Sequence, residues 1–139
     1  MSKYANAEWR GTGKEGKGTL TTETRFVQNT PFTYATRFGE AKDGTNPEEL
    51  IAAAHAGCFS MKLSFVLNAE GFTADLIETK CDITLADGAI SKSHLAVKAK
   101  IPGISKEKFE ACAKDAKENC PISKSLKSSI SISMEATLM

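Results

Sequence analysis

Two thiols far apart in the chain, Cys58 and Cys120, are the residues whose types and setting could do redox chemistry. Cys58 stands in Ala-Ala-His-Ala-Gly-Cys-Phe-Ser-Met, inside a long apolar run, and Cys120 stands directly before Pro121. A buried cysteine is usually inert packing. A cysteine with a partner thiol, an arginine and a carboxylate can instead be a nucleophile, because the thiolate is the reactive form. The small and apolar neighbours of Cys58 (Ala53, Ala54, Ala56, Gly57, Phe59 and Met61) suit either reading. Ala54, Ala56 and Gly57 also allow a close approach by another backbone or by a substrate. Cys120 is either a spectator thiol or, if Pro121 opens a new turn, an N-cap whose free N–H groups favour a thiolate. Of the other two cysteines, Cys81 falls on the apolar face of an alternating segment and Cys112 in an apolar helical stripe. Both read as small core residues. No two cysteines form Cys-x-x-Cys, and neither His55 nor His94 completes a zinc-ligand spacing, so no metal site is expected.

The elements that must carry these residues are written locally. Tyr4 to Trp9, Gly18 to Val27 and Phe32 to Phe38 read as strands, with a turn over Gly11 to Gly16 and a polar loop over Gly39 to Gly44. A helix then opens on Asn46 as cap, Pro47 in first position and Glu49 where a capping box wants it, and it stops at Gly71. From Leu50 to Ala69 its only full charge is Lys62. A helix so apolar all round needs cover on most sides, and a second subunit is expected to supply part of it. The alternation Ile77, Thr79, Cys81, Ile83, Leu85, then Leu95, Val97, Ala99, Ile101 around Asp87-Gly88 predicts a hairpin. Ser105 caps a helix with the stripe Phe109, Cys112, Ala113, Ala116, which Pro121 breaks. Ile130 to Leu138 alternates as a last strand. The order gives an α+β fold with mainly antiparallel sheet.

Composition narrows the partners. A formal net charge of +1, with lysines interspersed among acids, lacks the basic stripe expected of a nucleic-acid binder. No charged-then-apolar leader opens the sequence. The apolar run carries His55, Lys62 and Asn68, which suits a buried helix better than a membrane span. The expectation is one soluble cytoplasmic domain over residues 1–139, in a compartment where cysteines that pair do so transiently.

Thr-Arg-Phe at Thr36 to Phe38, Gly-Thr-Asn-Pro-Glu-Glu-Leu-Ile at Gly44 to Ile51, the run Ala53 to Met61 and Asn-Cys-Pro-Ile-Ser at Asn119 to Ser123 together resemble the OsmC/Ohr family of thiol peroxidases. The likeness runs along essentially the whole chain. It implies an OsmC/Ohr-like fold, with sheets wrapped around long central helices in an intertwined homodimer whose active sites lie at the subunit interface. It implies reduction of organic hydroperoxides, and less efficiently of hydrogen peroxide, in stress defence, without a cofactor. By position, Cys58 resembles the peroxidatic cysteine and Cys120 the resolving one. Arg37 resembles the arginine that activates the thiolate, and Glu48 its carboxylate partner. The glycine-rich turn Gly11 to Gly16 holds no arginine, which places the chain nearer the osmotically inducible branch than the organic-hydroperoxide-resistance branch. Gly57 stands where alanine is frequent. A dithiol, lipoyl-type by resemblance, is the expected reductant.

The chemistry needs these residue types. An ordinary thiol is only a few per cent ionised at neutral pH, and burial reduces that further. Cys58 is some three turns inside its helix, beyond the reach of the helix dipole. A permanently charged arginine can lower the thiol by about two pKa units, roughly 2.7 kcal/mol. Glu48 would hold Arg37 rather than touch the sulfur, since a second anion would oppose the thiolate. Ten residues of straight helix rise about 15 Å, so either the helix breaks or the Glu48 that serves Cys58 comes from the other subunit. The second arrangement is the one expected. Phe38, Ile51, Phe59 and Met61 are the candidate apolar lining for bulky substrates. A different class of function is also open: a redox-sensing or ligand-binding module whose Cys58–Cys120 disulfide changes partner binding without efficient turnover.

Overall fold

A computed structural model describes residues 1–139. The chain forms two compact units, Met1–Leu50 and Ile51–Met139. The first contains an antiparallel sheet of β1 (Ala5–Arg10), β2 (Lys17–Thr22) and β3 (Thr30–Phe32) in that spatial order. β2 is shorter than its threonine content suggests. The chain turns after Thr22, and Arg25 and Asn29 take positive φ, which no strand tolerates.

The segment expected as a strand over Phe32 to Phe38 is a correction. Only Phe32 belongs to β3, and Tyr34–Phe38 forms a short helix, α1. Thr33 and Thr36 cap each other reciprocally: the Thr36 N–H donates to Thr33 Oγ1 at 3.1 Å and the Thr33 N–H to Thr36 Oγ1 at 2.9 Å. Two side chains that satisfy the first orphan donors override the strand preference of aromatic and β-branched residues.

The long helix α2 runs unbroken over Pro47–Ala69. Asn46 Oδ1 accepts the Glu49 N–H at 2.8 Å, as an N-cap should. The Glu49 carboxylate accepts from Thr45 Oγ1 at 2.9 Å, so only half of the expected capping box forms. At the other end Gly71 takes φ +87°, with Phe72 N–H donating to Leu67 O and Gly71 N–H to Asn68 O. That pair of bonds is a Schellman motif, and its left-handed position favours glycine.

In the second unit β4 (Leu76–Ala86) and β5 (Ala89–Lys100) form the expected hairpin. Asp87 and Gly88 both take positive φ, the geometry that matches strand twist in a two-residue turn. The period-two reading holds in register: Leu95, Val97, Ala99 and Ile101 are buried. α3 (Lys106–Asn119) buries the expected stripe Phe109, Cys112, Ala113 and Ala116. α4 (Pro121–Leu126) follows at once, and β6 (Ser131–Leu138) returns to pair with β5. β6 runs parallel to β5, reached by a helical crossover, so this sheet is mixed. The core gathers Phe59, Leu63 and Leu67 of α2 with these strand and helix residues.

Candidate active site

Arg37 and Glu48 belong to the first unit, and Cys58 and Cys120 to the second; each pair is described by itself. α1 carries Arg37 in its last turn, and the first turn of α2 carries Glu48. Asn46 Nδ2 donates to Thr36 O at 3.0 Å and Thr36 Oγ1 to Thr45 O at 2.9 Å, so the two helix starts are strapped together. Arg37 Nε lies 3.2 Å from both Glu48 oxygens and Nη2 donates to Oε1 at 2.7 Å. This is the bidentate fork that fixes a guanidinium in direction as well as in place. The Arg37 fork pulls the Glu48 carboxyl below its usual range, and the same bonds raise Arg37 further. The Phe38 ring lies under the guanidinium, its centroid 5.0 Å away. Arg37 and Glu48 therefore form an ion pair.

Cys58 and Cys120 meet although 62 residues separate them: Cys120 Sγ donates to Cys58 Sγ at 2.9 Å. All four cysteines are free thiols. Cys58 is half-buried and Cys120 fully buried, so Cys120 is no exposed spectator. Cys120 is at once the C-cap of α3 and the N-cap of α4, with Pro121 in the first position of α4. Its side chain makes no cap bond. The backbone N–H of Ile122, in the first turn of α4, favours the Cys58 thiolate. Burial pushes the Cys58 thiol up, a charge on Cys120 at the same contact pushes it further, and the Ile122 backbone N–H opposes both. Two sulfurs in contact hold one negative charge more readily than two. Taken alone, Cys58 is a poor thiolate, and a nearby cation would make it a better one.

The candidate apolar lining divides. Phe59 is fully buried and serves the core, with Leu63 and Leu67 beside it. Met61 and Phe38 are exposed and Ile51 is half-buried. Cys112 is buried as expected, whereas Cys81 is half-buried and lies 3.2 Å from Ser93 Oγ.

Sequence reasoning missed a buried polar cluster beside the thiols. His55 is fully buried, with Nδ1 2.7 Å from Ser93 Oγ and Nε2 2.8 Å from Ser123 Oγ. Burial lowers its pKa, so the ring is held neutral. The available signal was a histidine in an otherwise apolar helix, which must find partners when buried.

The family described as OsmC-like protein matches residues 39–135. Peroxiredoxin OsmC of Escherichia coli (strain K12) is 43% identical over 136 residues, covering 95% of this chain and 94% of its own. Organic hydroperoxide resistance protein OhrA of Bacillus subtilis (strain 168) is 29% identical over 125 residues, covering 88% of each chain. Among solved structures, an organic hydroperoxide resistance protein OsmC from Legionella pneumophila superposes with a TM-score of 0.74 at 20% identity, over 100% of this chain and 98% of that one.

Proposed function

The chain belongs to the OsmC-like protein family, and from that premise we propose that it is a cysteine-based peroxidase that reduces organic hydroperoxides to alcohols. The observation that carries this reading is the 2.9 Å approach of Cys120 to Cys58, in a chain 43% identical to a protein named a peroxiredoxin. The Cys58 thiolate attacks the terminal peroxide oxygen and the O–O bond breaks. The alkoxide leaves and takes up a proton as alcohol, and Cys58 becomes a sulfenic acid. The Cys120 sulfur then attacks the Cys58 sulfur, with water leaving and a disulfide forming. A dithiol, lipoyl-type by family resemblance, reduces that disulfide and is itself oxidised to a disulfide.

Arg37 supplies the cation that Cys58 lacks in its own surroundings, and it stabilises the departing alkoxide. Glu48 holds Arg37 in its fork. Because α2 is unbroken, the helix rises about 15 Å between Glu48 and Cys58, and the Arg37–Glu48 pair serves the Cys58 of a partner subunit in a homodimer. The exposed apolar side chains of Met61 and Phe65 on α2 support a second copy as cover. Phe38, Ile51 and Met61 line the approach for bulky, apolar hydroperoxides. The chain acts in the cytoplasm as one domain over residues 1–139, without metal, cofactor or nucleic acid.

Peroxide consumption with a dithiol reductant tests the reading. The unaltered chain is expected to consume an organic hydroperoxide faster than hydrogen peroxide, and Cys58→Ser to lose activity by at least a thousandfold. Cys120→Ser should complete one turnover and then stall with Cys58 overoxidised. Equal consumption by the unaltered chain and Cys58→Ser would end the peroxidase reading. A disulfide that forms without sustained turnover would favour a redox sensor.

A further inference from the structure

The sulfur contact is one of two rungs between α2 and the segment formed by Cys120 and α4, which it caps. Three residues before Cys58 on α2 stands His55, and three residues after Cys120, on α4, stands Ser123. Their contact, His55 Nε2 to Ser123 Oγ at 2.8 Å, sits one helical turn from the sulfur pair. α4 has six residues, too few to hold its own shape, so its position depends on what ties it down. Its N-cap supplies no side-chain bond. Ser123 is its one buried residue, at 1% exposure. The ring that receives it is anchored from behind: His55 Nδ1 meets Ser93 Oγ on β5 at 2.7 Å, and Ser93 in turn meets Cys81 Sγ on β4 at 3.2 Å. Both ring nitrogens are occupied by hydroxyls that can donate or accept, so the neutral imidazole bridges sheet and helix in either tautomer.

We propose that His55, through Ser123, is a positioning residue that fixes Cys120 against Cys58 and so sets the rate of disulfide formation. This rests on the peroxidase reading only for its kinetic form. The placement of the two sulfurs also governs a thiol–disulfide equilibrium that needs no peroxide. Loss of one buried hydrogen bond that orders a reacting group should lower its effective concentration about tenfold.

Three variants separate positioning from packing. Ser123→Ala removes one hydroxyl. His55→Asn keeps an amide where Nδ1 was and loses the Nε2 contact. His55→Gln keeps a polar atom where Nε2 was. In peroxide single-turnover experiments, Ser123→Ala and His55→Asn should lower the ratio of disulfide-formation rate to sulfenic-acid-formation rate about tenfold. His55→Gln should stay within about threefold of the unaltered chain. With glutathione and its disulfide, the Cys58–Cys120 equilibrium, read by peptide mapping, should shift about tenfold toward the dithiol in the first two variants only. An unchanged ratio and equilibrium in Ser123→Ala would overturn the proposal, as would an equal loss in His55→Gln and His55→Asn. If the unaltered chain forms no sulfenic acid with any hydroperoxide, the peroxidase reading fails, and the glutathione equilibrium still decides the positioning role.

Discussion

Cys58 lacks, in its own surroundings, what a fast nucleophile needs. Burial raises it, and only the Ile122 N–H works the other way. The proposed remedy is Arg37, whose fork on Glu48 leaves little freedom to the guanidinium. Glu48→Gln keeps the shape but weakens that hold. The expected result is a Cys58 pKa about one unit higher, hence about tenfold less thiolate at neutral pH, read as the pH dependence of alkylation. His55 offers a second titration. Its pKa is lowered by burial, so the unfolded chain binds the proton more readily than the folded one. The stability from a neutral His55 is complete above the ordinary imidazole value of about 6.5 and declines as pH falls from there toward the folded pKa, by at most about 1.4 kcal/mol per pH unit. Denaturant titrations from pH 7.5 to 5 should show this slope, and His55→Gln should lack it. His55 was visible in the sequence as an apolar-helix histidine. Its partners were not, because they lie 38 and 68 residues away and nothing local encodes the pairing.

Legibility at the scale of elements follows how local the cause is. The start of α2 at Asn46-Pro47, its end at Gly71 and the Asp87-Gly88 turn are each decided within a few residues, and all three were read. α1 was not, because five residues show no helical period and the Thr33–Thr36 caps compete with strand-like side chains. The direction of β6 was not either: alternation reports which face is buried, not which way a strand runs. α2 carries a testable oddity. Gly57 sits mid-helix, and a Cβ built there meets nothing within 4 Å. Gly57→Ala should therefore stabilise the fold by about 0.5–1 kcal/mol, measured as a rise in unfolding midpoint. A loss instead would mean that another backbone closes on Gly57.

At the scale of the whole molecule, the fold places the thiol pair in one unit and the arginine–carboxylate pair in the other. Completing the proposed site across a two-fold makes a specific demand on mixed dimers. A Cys58→Ser chain paired with a Glu48→Ala chain leaves one site with both groups and one with neither. About half of the unaltered activity per dimer is expected, against near-zero activity in either parent homodimer. Mixed dimers as inactive as their parents would rule out the cross-subunit arrangement.

The depth of Cys120 has a consequence for how the proposed disulfide is undone. One sulfur is completely enclosed while the other stays half-open, so an incoming thiol meets an asymmetric target. In the proposed cycle attack would then fall on Cys58, with the mixed disulfide there and Cys120 as the group expelled. Enclosure thus gives the bond a single handle. A reductant of that proposed disulfide would have to reach Cys58, because Cys120 offers no exposed surface.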